Sequence, residues 1–275
     1  MLPTFIIIGA MKSGTSSLYR YLAVHPEICM SKMKETNFFV RSMNYEKGIN
    51  WYESNFMENS SKAYGEASTN YSKFPTFKEV PRSMYSVLPN AKLIYIVRDP
   101  IDRLISHYTH NYSEGLENRN ISEVLSDLNN NHYVACSKYY MQVEQYMEYY
   151  TKDKILVIAT EALRSKPVAT MKRVFMFLGV NESFCGSEYS KMYNPTSGKR
   201  RKNKIGMYFK KNGIENKLES HLPWTLYEMY TKITSNPIKK PELEKDLEMK
   251  LIDYLQEDVN SLRAFTADDF ANWRL

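Results

Sequence analysis

The stretch Phe5-Ile6-Ile7-Ile8-Gly9-Ala10-Met11-Lys12-Ser13-Gly14-Thr15-Ser16-Ser17 joins two patterns. Phe5 to Ile8 is a short, unbroken apolar run rich in β-branched side chains, as in a strand buried on both faces. From Thr15 to Val24 the residues Leu18, Tyr21 and Leu22 recur at helical spacing, and His25-Pro26 ends the run because proline cannot continue a helix. Between the two, a glycine-containing turn enters a helix N-terminus, where backbone N–H groups and the helix dipole converge on one spot. Lys12 adds a full positive charge, and Ser13, Thr15, Ser16 and Ser17 add hydroxyl donors. The stretch reads as strand, phosphate cradle, helix. The plainer reading is a Ser/Thr-rich helix cap with one exposed lysine. A Walker A loop is excluded, since GxxxxGK[ST] needs lysine directly after the second glycine and Lys12 precedes Gly14.

The same grammar recurs along the chain. Lys92 to Val97 reads as a second buried strand, and after Arg98-Asp99-Pro100 a helix carries Leu104, Ile105 and Tyr108 on one side. Tyr139 to Tyr150 reads as a helix, Ile155 to Ile158 as a third strand, and Val168 to Leu178 as a helix closed by Gly179. Pro241 to Leu275 reads as a charged amphipathic helix and a segment ending just past Trp273. Alternation of this kind predicts an α/β fold: a P-loop-like parallel β-sheet flanked by helices on both faces, in one domain over residues 1–275.

Composition narrows the partners. With 43% apolar and 25% charged residues the chain is an ordinary globular one, and its net charge of +6 favours an anionic ligand. Cys29, Cys136 and Cys185 are widely separated and odd in number, with no CxxC pair and no Cys/His cluster at metal-ligand spacing. A reducing compartment and no metal follow as expectations. No segment has the length of a membrane span or a signal-peptide core, so the expected location is the cytoplasm.

A second anion site is spelled by Arg98, at a strand end, and Ser106, about two helical turns further on. Ligands of open α/β sheets bind at the carboxyl ends of strands, and arginine suits bidentate phosphate contact. Lys199 to Lys204 is the only dense basic run, inside a loop that begins Asn194-Pro195-Thr196-Ser197-Gly198. Such a run is usually a solvated face, and contact with a nucleotide or with nucleic acid is the alternative.

On these residues the chain resembles PAPS-dependent sulfotransferases. Lys12-Ser13-Gly14-Thr15 behind an apolar strand is similar to their 5′-phosphosulfate loop. The resemblance implies that Lys12 contacts the bridging oxygen and sulfonate and that Gly14 to Ser17 hold the 5′-phosphate. Arg-Asp-Pro with a serine eight residues after the arginine resembles the family's 3′-phosphate site, here Arg98 and Ser106. Similar enzymes fold a glycine- and basic-rich loop over the nucleotide, which implies Ser197, Gly198, Lys199 and Arg200 as further 3′-phosphate contacts. The resemblance runs through Ser137-Lys138-Tyr139 and Glu161-Ala162-Leu163 to the Leu262–Trp273 ending.

Sulfuryl transfer needs a base for the acceptor proton and a cation for the leaving phosphate. Glu35 is separated by two residues from Phe38-Phe39, an aromatic pair that can wall a pocket, and so resembles the glutamate base of heparan sulfate-type enzymes. Gly48-Ile49-Asn50-Trp51-Tyr52 resembles a substrate-side segment of that group. Surface pairing of Glu35 with Lys32 or Lys34 is the competing structural reading. Glu66 is the rival carboxylate, and His107 and His110 sit where a histidine is more often structural. Ala67 replaces a lysine of the heparan sulfate enzymes, which brings the chain nearer to bacterial single-domain members. The expected activity is metal-independent sulfuryl transfer from PAPS to a carbohydrate or glycolipid hydroxyl, with no nucleic acid partner. A nucleotide kinase and a non-enzymatic anion- or nucleic-acid-binding module are the alternatives.

Overall fold

The computed structural model describes residues 1–57, 59–190, 200–212, 214 and 224–275. Five parallel strands form the central sheet: β1 Phe5–Gly9, β2 Ile28–Met30, β3 Ala63–Ala67, β4 Lys92–Val97 and β5 Ile155–Ala159, in the order β2-β3-β1-β4-β5. The helices, in chain order, are α1 Thr15–Ala23, α2 Gly48–Glu53, α3 Val80–Val87, α4 Pro100–Glu114, α5 Ile121–Val124, α6 His132–Ala135, α7 Tyr139–Met147, α8 Thr160–Ser165, α9 Pro167–Leu178, α10 Lys204–Lys211, α11 Trp224–Thr234 and α12 Lys245–Thr266. Arg200–Lys202 and Ser235–Pro237 pair antiparallel as β6 and β7. Among the described residues no helix is long and apolar enough to cross a membrane.

The apolar runs behave as their sequence demands. Alternate residues of β1, β4 and β5 feed opposite faces of the sheet, and both faces are covered. On one side Ile6, Ile8, Leu93, Tyr95 and Val157 meet α3, α7 and α12 through Met84, Val143, Tyr146 and Leu262. On the other, Phe5, Ile7, Ile94, Ile96 and Ile158 meet α1, α8 and α9 through Leu18, Leu22, Leu163 and Phe175. A third cluster joins α4, α5 and α6 to Leu251 and Leu255 of α12.

Strands β2 and β3 go beyond the sequence expectation of three. Ala63-Tyr64-Gly65-Glu66-Ala67 lacks the β-branched run that marks the other strands, and it carries a glycine and a carboxylate. Gly65 is required because a Cβ there would lie 2.1 Å from Cζ of Phe5, across the β1–β3 pairing. Glu66 is fully buried, and three hydroxyls surround it: Tyr52 at 3.0 Å and Tyr71 at 2.8 Å from Oε1, and Ser68 at 2.6 Å from Oε2. The donors come from α2, from the 3-10 turn Thr69–Ser72, and from the end of β3 itself.

Chain order places the crevice. After β1 the chain builds β2 and β3 on one side, then crosses to β4 and β5 on the other. A sheet wound this way opens at the carboxyl ends of its strands where the order reverses.

Gly65→Ala is expected to destabilise the protein by about 1–3 kcal/mol through overpacking, with Phe5→Leu in the same chain recovering part of the loss, as read by the denaturant midpoint. Burial pushes Glu66 above the usual carboxylate range, although its hydroxyl partners pull it back. A carboxyl raised on folding stabilises most at low pH, where it is protonated in both states, and that contribution is lost as pH rises toward its folded pKa. The cost of Glu66→Gln relative to the parent should therefore shrink as pH rises above the ordinary carboxylate value of 4.5 in equilibrium unfolding. A cost that grows with pH would contradict this.

Candidate active site

Four strand ends meet at the carboxyl edge of the sheet. After β1, the amide of Ala10 donates to Ile96 O at 2.7 Å, and the amide of Ser13 donates to Ala10 O at 3.1 Å, so the chain turns back above β4. The turn needs left-handed backbone at Lys12 (φ 70°) and at Gly14 (φ 92°). Thr160, the first residue of α8, fastens this loop: its Oγ1 lies against Ser13 O and donates to Val97 O at 2.8 Å. Gly14 caps α1 without a side-chain oxygen, and no acidic residue stands in the first turn. By contrast α4, α5 and α6 are capped by Asp99, Asn120 and Asn131. With no carboxylate or side-chain cap at its start, the positive end of the α1 dipole favours an anion. Ser13, Thr15 and Ser17 are buried in this loop, while Lys12 and Ser16 are half-buried.

At the end of β4, Tyr139 Oη donates to Arg98 O at 2.7 Å, and Glu161 Oε1 accepts from the amide of Asp99 at 3.1 Å. Asp99 caps α4 by accepting from the amide of Asp102 at 2.8 Å, and Pro100 fills the first turn. The Arg98 guanidinium rests on Asp102, Nη2 to Oδ2 2.7 Å. Ser106 is buried on the same helix. Arg103 is buried completely, bonding Ser137 Oγ at 2.8 Å, His107 Nδ1 at 3.2 Å and Tyr133 O at 2.5 Å, so it ties α4 to the α6 region.

Glu35 sits at the end of β3, held from two sides. Its Oε2 accepts from the amide of Thr69 at 2.8 Å and faces Thr69 Oγ1 at 3.3 Å. Its Oε1 pairs with Lys34 Nζ at 2.6 Å, and the same ammonium reaches Thr15 Oγ1 of the phosphate loop at 3.4 Å. The pairing with Lys34 expected as the competing reading is present, and it leads into the loop instead of out to solvent. Glu66 is sealed beneath, without solvent access. Phe38 and Phe39 are core residues stacked and crossed against Tyr52, so the pocket-wall expectation shifts to the half-buried Tyr45 and Trp51 beside Phe38.

The basic segment divides. Ser197, Gly198 and Lys199 lie outside the described residues. Arg200 opens β6 with its Nε on Ser235 Oγ at 2.9 Å, and Arg201 covers the Tyr112 ring at 3.9 Å. Lys73 had no sequence signal: it follows the turn that binds Glu35, and burial pushes its ammonium below the ordinary value while Cys136 and Glu35 pull it back up.

The folded chain corrects one exclusion. His107, His132 and Cys136 come together with ligand atoms within 4.8 Å of one another. His132 and Cys136 are one helical turn apart, whereas His107 arrives from α4, so linear spacing hid the group. Arg103 donates to Nδ1 of His107, which fixes the ring proton on Nε2, and His107 is held well below its ordinary pKa by burial and by that guanidinium. Partial burial and the Lys73 and Arg103 charges press His132 down to about 4. His110 is half-buried further along α4.

A family model described as the sulfotransferase domain matches residues 2–242. The Mus musculus bifunctional heparan sulfate N-deacetylase/N-sulfotransferase 4 is 33% identical over 216 residues, 72% of this chain and 24% of that protein. The Mus musculus heparan sulfate glucosamine 3-O-sulfotransferase 3B1 is 32% identical over 205 residues, 72% of this chain and 50% of that protein. The chain therefore spans a quarter to a half of the length of these relatives. A solved sulfotransferase from Alicyclobacillus acidocaldarius matches over 100% of both chains with a TM-score of 0.72 at 25% identity. With a phosphate loop of this build and a family model over most of its length, the chain belongs to the PAPS-dependent sulfotransferase family.

Proposed function

We propose that the chain transfers a sulfuryl group from PAPS to a hydroxyl of a carbohydrate or glycolipid, through a site built from the phosphate loop, the Arg98 helix and Glu35. The observation that carries this reading is the Lys34 bridge, which joins Glu35 (2.6 Å) to Thr15 of the phosphate loop (3.4 Å). A carboxylate is thereby held within one lysine side chain of the place where a 5′-phosphosulfate would lie.

In the proposed reaction Glu35 takes the acceptor proton as the acceptor oxygen bonds to sulfur. The bond from sulfur to the bridging oxygen breaks, and its electron pair leaves on the 5′-phosphate of PAP. Lys12 and the N-terminal dipole of α1 neutralise that oxygen, a task of preorganised charge that needs no metal in this reading. Gly14, Thr15, Ser16 and Ser17, with Ser13 behind them, hold the 5′-phosphate. Arg98 and Ser106 take the 3′-phosphate, with the 197–200 loop as its cover. Glu66 is assigned a structural role. The carbohydrate acceptor is supported by the heparan sulfate relatives and by the half-buried rings of Tyr45 and Trp51, whose faces suit sugar rings.

A thermal-shift panel tests the donor. PAP and PAPS should raise the midpoint, by the equivalent of about 2.7 kcal/mol at a hundredfold excess over Kd, and ATP with magnesium should not. The reverse pattern would overturn the reading. For the base, Glu35→Gln should keep the PAP-induced shift while lowering turnover by about a hundredfold or more. Undiminished turnover would remove Glu35 from the role.

A further inference from the structure

Asp102 carries more cations than one carboxylate can hold fully. Its Oδ2 takes Arg98 Nη2 at 2.7 Å. Its Oδ1 takes Arg274 Nη2 at 2.6 Å and Lys240 Nζ at 3.2 Å. Arg98 and Asp102 are only 14% and 24% exposed, so their own pair is screened less than an open surface pair, whereas Arg274 and Lys240 approach from the solvent side at 40% and 47% exposed. Arg274 reaches Asp102 across 172 residues of sequence and is fixed independently of Arg98. Its Nη1 lies 2.8 Å from Glu248 Oε1, and its amide donates to Asp99 Oδ2 at 2.9 Å. The neighbouring Trp273 donates to Glu161 Oε2 at 3.2 Å and packs against Phe270 and Tyr139. The segment is thus clamped to the residues that shape the end of β4.

The segment brings a third cation to Asp102: Arg98, Lys240 and Arg274 all reach its two oxygens. A phosphate that approaches Arg98 competes with Asp102 for the guanidinium. Every other cation on Asp102 weakens its hold, and five N–H donors on one planar group allow Arg98 to turn toward an anion while Arg274 stays on the carboxylate.

We propose that Arg274 is a positioning residue for the donor nucleotide: by satisfying Asp102 it frees Arg98 for the 3′-phosphate. This rests on the assignment of Arg98 to that phosphate. Arg274 itself touches neither donor nor acceptor, so its effect falls on donor affinity and not on the chemical step.

The test is a double-mutant cycle read by calorimetric PAP affinity and by the split between KM for PAPS and kcat. Arg274→Ala should weaken PAP binding about three- to tenfold and raise KM for PAPS to match, with kcat at saturating PAPS unchanged. Arg274→Lys should recover most of the loss. In an Asp102→Asn background the Arg274→Ala penalty should shrink to less than about twofold, because the competing charge is gone. If Arg274→Ala folds poorly, Lys240→Ala loads the same oxygen and should weaken PAP in the same direction by a smaller factor. A penalty of equal size with and without the Asp102 charge, or intact PAP affinity in Arg274→Ala, would overturn the proposal. Arg98→Ala serves as the reference: if it too leaves PAP affinity intact, the assignment of Arg98 falls first, and the proposal falls with it.

Discussion

A carboxylate taken out of water must find hydrogen-bond donors or stay protonated, and Glu66 finds them in three separate segments. Tyr52 comes from α2, Tyr71 from the turn after β3, and Ser68 from the strand end. Those hydroxyls then act as acceptors themselves. Ser68 Oγ receives the amide of Asn37 at 2.9 Å and Tyr71 Oη receives the amide of Phe39 at 3.4 Å. The segment from Lys34 to Phe39 is therefore sewn along the end of β3 by the same groups that satisfy Glu66. Glu35, on that segment, is aimed at Thr69 as a consequence. The buried carboxylate has a structural task, and the half-exposed one inherits its position.

The second dependence is electrostatic. The carboxyl edge of the sheet gathers cations, and like charges there repel unless something balances them. The molecule balances them with carboxylates drawn from its whole length: Glu35 on Lys34, Asp102 on Arg98, and Asp99, Glu161 and Glu248 around the clamp that ends at Arg274. Arg103, by contrast, is spent on Ser137, Tyr133 and His107, which explains why an arginine five residues from Arg98 plays no part in the phosphate assignment.

Much of this was legible in the sequence, and the reasons are local. An apolar run that ends in a glycine turn and a helix is a local signal, and Phe5–Gly9, Lys92–Val97 and Ile155–Ala159 obey it. Strand β3 escaped because it pairs with β1 through Gly65 and buries Glu66, and neither residue announces a strand. The His107, His132 and Cys136 group escaped because two helices assemble it. Lys73 and Arg274 escaped for the same reason: each gains its meaning from neighbours distant in the chain, and periodicity carries no record of those.

Ala67 shows how such a gap closes. The resembling heparan sulfate enzymes have lysine there, and here the position lies opposite Ile7 with the apolar cluster that faces α1. Removing the cation from β3 leaves Glu35 without a charge from that strand. Lys34 supplies one from the segment β3 supports, at 2.6 Å, and Lys73 adds to the field from the turn beyond. The shared contact of Lys34 with Thr15, at 3.4 Å, ties the segment that carries Glu35 directly to the phosphate loop.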